Sequence, residues 1–150
     1  MAKLYIMCGI PGSGKTTKAI ELGKSSGRSF AVLSADDVRA DLYGDASVQG
    51  NGKIVFEILD KRVRKALMDR KDVYYDCTSL LAKGRRSVAD RFPEADAVCV
   101  VWLDTPLEVC LARNSARSRH VPVDVIIGMA KKFQRPSKNE GFAEIIRVTV

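Results

Sequence analysis

Gly9-Ile10-Pro11-Gly12-Ser13-Gly14-Lys15-Thr16 follows a short apolar run, Lys3 to Cys8, and opens an amphipathic stretch from about Lys15 to Lys24 that closes near Gly27. These residues satisfy G-x-x-x-x-G-K-[ST] at every fixed position. Each part has a physical purpose. Glycine permits the backbone angles that turn successive N–H groups inward around an anion. A helix beginning near Lys15 aims its positive end at the same point. Lys15 reaches the β- and γ-phosphates of a nucleoside triphosphate, and the Thr16 hydroxyl ligates Mg²⁺. The strand-to-helix setting is the one this loop requires. Binding of a triphosphate follows; the pattern does not choose between hydrolysis, switching and phosphoryl transfer.

Outward from this loop, strand and helix signals alternate. Ser29 to Leu33 is predicted as the second strand, and Asp36 to Leu42 opens a second helix. Gly44 to Gly52 is polar and Gly-rich, a mobile loop. From Lys53 to Arg70 the apolar residues Ile54, Val55, Ile58, Leu59, Val63, Ala66 and Leu67 fall at spacings of three and four, the mark of a long helix with one dry face. Val73 to Tyr75 is the third strand, Gly84 to Phe92 a helix, and Ala97 to Leu103 a fourth strand, apolar throughout as a central parallel strand should be. Thr105-Pro106-Leu107-Glu108 predicts a helix start with Pro at the first position and a Thr-x-x-Glu capping box. Pro122 to Phe133 is a further helix and Glu144 to Val150 a fifth strand. Strands joined by helical crossovers imply an α/β fold, a parallel sheet with helices on both faces.

The chain has 150 residues, enough for one domain with one core, and an ordinary globular composition: 46% hydrophobic and 29% charged. A disordered tail, a collagen-like repeat and a disulfide-rich miniprotein are excluded. The longest apolar run, Ala97 to Leu103, is far short of a membrane span. The N-terminal run lacks the length and cleavage site of a signal peptide. Cys8, Cys77, Cys99 and Cys110 show no C-x-x-C spacing, so reduced thiols and a cytoplasmic setting are expected. Net charge is +7, which favours polyanionic partners such as nucleotides and nucleic acid.

The residues narrow the reaction. No Asn-Lys-x-Asp guanine-reading motif is present, and an AAA-type motor needs a longer chain with a second helical subdomain. A small phosphotransferase fits. It needs a group to orient or deprotonate the acceptor hydroxyl and lid cations to neutralise the transferring group. Such groups come from loops at the carboxyl ends of the strands. After the second strand, Asp36 is a candidate general base and Arg39, one turn on, a candidate holder of an acceptor phosphate; alternatively Ser34 and the aspartates cap the second helix. After the third strand, Asp76 is placed either for Mg²⁺, directly or through water, or for a turn. After the fourth, Arg113, Arg117 and Arg119 cluster, with Arg113 and Arg117 four apart on one helix face. Arginine forks match phosphate oxygens, so a short Arg-rich lid over about 113–122 is expected, against the alternative of a solvated face. His120, the one histidine, is expected on the lid surface.

Together these strings resemble the 5′-hydroxyl polynucleotide kinase domain, the phage type above all. The resemblance runs through Gly9 to Thr17, Asp36-Asp37-Val38-Arg39, Asp76 at a strand end, and Leu111-Ala112-Arg113-Asn114-Ser115-Ala116-Arg117 followed by Val121-Pro122-Val123-Asp124-Val125-Ile126. It implies a three-layer P-loop kinase fold with a five-stranded parallel sheet. It implies ATP and Mg²⁺ on Gly12, Ser13, Gly14, Lys15, Thr16 and Thr17, with Asp76 at the metal or ordering the lid arginine. It implies Asp36 as base on an acceptor 5′-OH, Arg39 on the acceptor's 3′-phosphate, Arg113 near adenine, Arg117 on the β- and γ-phosphates, and Val121 against an acceptor base. Lys15, Asp36 and Arg117 would carry catalysis. Seryl-tRNA, toxin and small-metabolite kinases share this core.

Departures are also visible. Asp76-Cys77-Thr78-Ser79 lacks the Asn the family carries shortly after the Asp, and Gly44 to Gly52 does not match. Relatives often add a phosphatase or ligase domain, whereas a bare kinase core is expected here. The expected activity is ATP-dependent transfer of a phosphoryl group to a hydroxyl, a nucleic acid 5′-OH first. A metabolite, nucleotide or tRNA-linked acceptor is the alternative, and a non-catalytic nucleotide-binding switch is an alternative of another class. No membrane partner is expected. Beyond the lid, the basic helix Lys53 to Lys71, with Arg85 and Arg86, is the remaining support for a polyanionic acceptor.

Overall fold

Apolar residues alternate along β1 (Lys3–Cys8), and this alternation builds two cores. The computed structural model describes residues 1–149. After β1 come α1 (Lys15–Ser26), β2 (Phe30–Leu33), α2 (Ala35–Tyr43), α3 (Gly52–Met68), β3 (Asp72–Tyr75), α4 (Ala82–Arg91), β4 (Ala97–Asp104), α5 (Leu107–Ala116), α6 (Val123–Lys132), a single 3-10 turn (Lys138–Glu140) and β5 (Glu144–Thr149). The sheet order is β2-β3-β1-β4-β5, and every neighbouring pair is parallel. Because side chains alternate across a strand, Leu4 and Ile6 of β1 join Val73, Tyr75 and Val100 under Val38, Val55, Leu59, Val63 and Val88 of α2, α3 and α4. Met7, Tyr74, Val101 and Leu103 face the other way, onto Ala19 of α1. The result is the expected three-layer α/β P-loop kinase fold. A third apolar cluster, Ile10, Cys110 and Ile126, seats α5 and α6 beside the loop that follows β1.

The chain leaves β1 toward β3 and β2 on one side, and β4 and β5 lie on the other. The strand order therefore reverses at the carboxyl end of β1, where open α/β sheets bind ligands. No helix among the described residues is long and apolar enough to cross a membrane. The fifth strand was expected to reach Val150, which lies outside the described residues.

Helix ends differ from expectation where distant groups intervene. The helix expected from Thr105 starts instead at Leu107, with Pro106 as its unassisted N-cap. The Thr105 hydroxyl does not cap it; it donates to the Ser13 carbonyl at 2.9 Å and ties β4 to the phosphate loop. Helix α4 starts two residues early, at Ala82, because the Gln134 side chain accepts the Ala82 N–H at 2.8 Å. A capping box does occur, unforeseen, at Ser137 and Glu140. Helix α3 stops at Met68, and Arg70 follows in the left-handed region at φ 62°.

Candidate nucleotide and phosphoryl-transfer site

The loop between β1 and α1 is shaped by two glycines at positive φ, Gly12 at 85° and Gly14 at 99°. A Cβ on Gly12 would stand 2.5 Å from the Cys110 carbonyl oxygen, so the loop also presses on the backbone of α5. Gly14 caps α1 without a side-chain hydrogen bond. The first amides of α1 thus lack a side-chain acceptor, as an anion site at a helix start requires. Ser13 is 2% exposed and its Oγ has no hydrogen-bond partner. A buried hydroxyl is costly in that state, and a phosphate oxygen in the loop would satisfy it. These features fit a bound triphosphate.

Lys15 Nζ donates to the Ile10 carbonyl at 3.2 Å. Burial pushes its pKa down, and the Asp76 carboxylate pulls it back up. Thr16 Oγ1 donates to Asp76 Oδ2 at 2.5 Å. By giving its proton to Asp76, the hydroxyl keeps its lone pairs free. Burial raises the Asp76 pKa, while the Thr16 bond and the Lys15 charge oppose the rise. No cluster of three His, Cys, Asp or Glu exists among the described residues. The Thr16–Asp76 oxygen pair instead suits Mg²⁺, which takes one or two protein oxygens and fills its shell with water and phosphate.

Asp36 lies in the first turn of α2. Ser34 caps that helix, its Oγ accepting the Asp37 N–H at 3.0 Å, so the cap does not consume Asp36. One Asp36 oxygen accepts from Arg39 Nη1 and the other from Arg119 Nη2, both at 3.0 Å. Arg39 is largely buried, and its Nε has no partner.

Arg113 Nη1 donates to the Gly12 and Ser13 carbonyls, each at 3.3 Å. Arg113 and Arg117 do not share a helix face, because α5 ends at Ala116 and Arg117 is its extended C-cap. Arg117 instead turns onto the Asn114 side chain at 3.4 Å. Asn114 is buried and grips both sides of Val121: its Oδ1 accepts the Val121 N–H at 2.9 Å, and its Nδ2 donates to the Val121 carbonyl at 2.8 Å. Of the stretch expected as a lid, 113–116 completes α5 and 117–122 is a loop pinned at its root, carrying exposed Arg117, Arg119 and His120.

One cleft of about 1170 Å³ gathers the sequence-predicted residues. Gly12, Ser13, Gly14, Lys15, Thr16, Thr17, Asp36, Arg39, Asp76, Arg113, Arg117 and Val121 all line it. So do Arg119 and the apolar residues Phe56, Val121, Val125 and Met129. Sequence reasoning assigned Thr105 a role only as a helix cap, Asn114 none, and Arg119 none on the acceptor side. Asn114 had a signal: it follows buried Cys110 by four residues, on the dry face of α5. Arg85 is a correction. It was counted toward a polyanionic acceptor, yet it is fully buried and paired with Glu140 at 2.8 Å. The basic helix α3 also spends Arg62 on Asp41, Arg64 on Glu94 and Lys65 on Asp69.

Comparison with known proteins places this geometry. A family described as "AAA domain", AAA_33, matches residues 4–136. An L-seryl-tRNA(Sec) kinase of Methanococcus maripaludis is 26% identical over 142 residues, covering 89% of this chain and 53% of that protein. The chain thus spans about half the length of that relative. Among solved structures, the Pnkp1/Rnl/Hen1 RNA repair complex contains a chain with TM-score 0.77 and 20% identity, covering 87% of this chain and 43% of that one. A gluconokinase from Sinorhizobium meliloti 1021 has TM-score 0.66 and 17% identity, covering 99% and 82%. At such identities the solved structures speak for the fold. With the phosphate loop and the cleft residues on matched fold elements, the chain belongs to the AAA_33 family, within the P-loop kinase superfamily.

Proposed function

We propose that this chain transfers the γ-phosphoryl of ATP to the 5′-hydroxyl end of a nucleic acid. The observation that carries the reading is the Asp36 environment: a carboxylate flanked by Arg39 and Arg119, in the same cleft as the phosphate loop. These two cations exceed what the triphosphate needs, and they suit an acceptor that brings its own phosphate. The apolar lining of Phe56, Val121, Val125 and Met129 suits a nucleobase better than a polyhydroxylated sugar. The RNA repair complex among the structural neighbours agrees with this choice.

Gly12, Ser13, Gly14, Lys15, Thr16 and Thr17 would hold the triphosphate, with Arg113 over the loop. Thr16 and Asp76 would hold Mg²⁺, Asp76 directly or through water, and the ion would supply neutralisation of phosphate charge. Asp36 takes the proton of the attacking hydroxyl as its oxygen bonds to the γ-phosphorus. The bond from that phosphorus to the bridging oxygen breaks, and ADP leaves. Lys15 and Arg117 neutralise the charge spread over the transferring oxygens. Arg39 and Val121 seat the acceptor.

A second reading has one specific support, the seryl-tRNA kinase relative: the acceptor is then a tRNA-linked hydroxyl. Two variants test the phosphoryl-transfer core shared by both. Lys15→Ala is expected to abolish transfer from γ-labelled ATP. Asp36→Asn is expected to lose transfer while binding ATP normally by calorimetry. Full activity in Lys15→Ala, or lost ATP binding in Asp36→Asn, would contradict the assigned roles.

A further inference from the structure

The positive charge between Leu111 and Lys138 divides in space. Arg113, Arg117 and Arg119 line the cleft, whereas Lys131, Lys132, Arg135 and Lys138 do not. These four are exposed and lie at and beyond the carboxyl end of α6. The chain there folds onto the start of α4. The Gln134 N–H donates to the Leu80 carbonyl at 2.8 Å, and its side chain accepts the Ala82 N–H at 2.8 Å. Exposed Lys83 and Arg86 of α4 thereby join the group. A second, shallow depression of about 270 Å³ lies between Ala82, Lys83, Arg86, Asn139 and Glu140.

Carboxylates do not offset this surface. None of the six cations has a carboxylate oxygen within salt-bridge distance among the described residues. Glu140, the acid in the depression, turns inward: Arg85 takes both its oxygens, at 2.8 and 3.2 Å, and the Ser137 N–H donates to one at 2.7 Å. Its backbone carbonyl accepts from Arg86 at 2.6 Å, and Arg86 lines the depression. The backbone beneath it is packed against the core. Phe133 stacks on Trp102 with ring centroids 6.3 Å apart, and Pro136 is buried. An uncompensated cationic surface on a packed backbone is what attracts a polyanion.

Helix α6 connects this surface to the cleft. Val125 lines the cleft, and Lys132 lies seven residues further along the helix, a rise of roughly 10 Å. We propose that Lys83, Arg86, Lys131, Lys132, Arg135 and Lys138 form a track for the phosphodiester backbone of a single-stranded acceptor, beyond the terminal nucleotide seated in the cleft. The proposal rests on the nucleic-acid reading above for the identity of the strand. Such contacts are sequence-independent and raise affinity with strand length and low salt.

The test compares wild type with the triple variant Lys83→Gln, Arg135→Gln, Lys138→Gln, all at exposed positions, with a thermal melt to show that folding is kept. Labelled 5′-OH strands of about 20 and about 3 nucleotides, and a polyglutamate of matched length, are titrated by anisotropy between about 50 and 200 mM salt. The ratio of long-strand to short-strand affinity is expected to fall roughly tenfold in the variant. The slope of log affinity against log salt should flatten by about two for the long strand. Lys83→Arg with Lys138→Arg should retain the wild-type ratio. An unchanged ratio and slope in the triple variant would overturn the track and leave a solvated face. Polyglutamate binding as tightly as the strand, and losing as much in the variant, would overturn it in favour of an acidic protein partner. Transfer assays on the same strands separate the two claims. If the long strand binds through the track but neither strand is phosphorylated, the surface stands and the acceptor reading falls. If both are phosphorylated and the variant changes nothing, the reverse holds.

Discussion

Arg119 shows how much a single side chain adds to what the sequence pattern supplies. It closes on Asp36 from 83 positions away. On the proposed function, the acceptor must share that guanidinium with Asp36. Arg119→Ala is expected to raise the acceptor KM roughly two- to fivefold, the range for a partly exposed ion pair, with the ATP KM unchanged. A matched rise for ATP would place Arg119 on the nucleotide side instead. The cysteines give a second test at this scale. Burial pushes the Cys8 and Cys77 thiols up to about 11, and raises those of Cys99 and Cys110. All four therefore stay protonated near pH 8, where the thiolate is the reactive form. Native protein should be alkylated slowly by iodoacetamide there, faster as the pH approaches that value, and at all four sites once unfolded. Residues of the phosphate loop were legible in the sequence because their chemistry is local: glycine, lysine and threonine at fixed offsets. Arg119 was read only as a lid arginine, and Asn114 was given no role, because their partners, Asp36 and the Val121 backbone, are set by how the loop after α5 folds back.

At the scale of elements, the strands were legible from apolar runs and the helices from their periodicity, while several ends were not. Thr105 illustrates the reason. The Thr-x-x-Glu pattern is a valid local cap, but the Ser13 carbonyl competes for the same hydroxyl and wins. Asp72 shows a long-range tie that no local pattern announces. It opens β3, is buried, and accepts from the Lys3 N–H at 2.9 Å and from Arg28 Nε at 2.9 Å, so it joins β1, the α1–β2 connection and β3. Burial alone pushes its carboxyl up, but the Arg28 guanidinium and the Lys3 N–H outweigh this and hold it below the ordinary carboxylate value. A depressed pKa in the folded state stabilises above the unfolded pKa, and that contribution is lost as pH falls through the folded pKa. Asp72→Ala is expected to cost roughly 1 kcal/mol near neutrality by urea unfolding, since it removes the acceptor of the Lys3 N–H and of the exposed Arg28. The gap between wild type and variant should narrow near pH 3. A gap that widens in acid would contradict the sign.

For the molecule as a whole, the net charge of +7 has been given an address. Part lines the cleft, part is spent on ion pairs along α3, Arg85 is buried, and a separate share stands on the α6–α4 surface. Composition shows the excess but not this division, which depends on the fold bringing residues 131–138 onto the start of α4. The sheet order, with its reversal at β1, explains why loops after β1, β2, β3 and β4 meet in one cleft. Acceptor identity is the part least legible in the sequence, because it rests on Arg119 meeting Asp36 and on Phe56, Val125 and Met129 lining one cleft, which only the folded chain brings about. The central claim is transfer to a nucleic acid 5′ end. Its most direct test offers γ-labelled ATP and Mg²⁺ to the protein with 5′-OH DNA, 5′-OH RNA, seryl-tRNA, nucleosides and a sugar panel, at equal concentration. The account predicts label on the 5′ end of the oligonucleotides in preference to every other acceptor. Label on a sugar, a nucleoside or seryl-tRNA, with none on oligonucleotide 5′ ends, would contradict it.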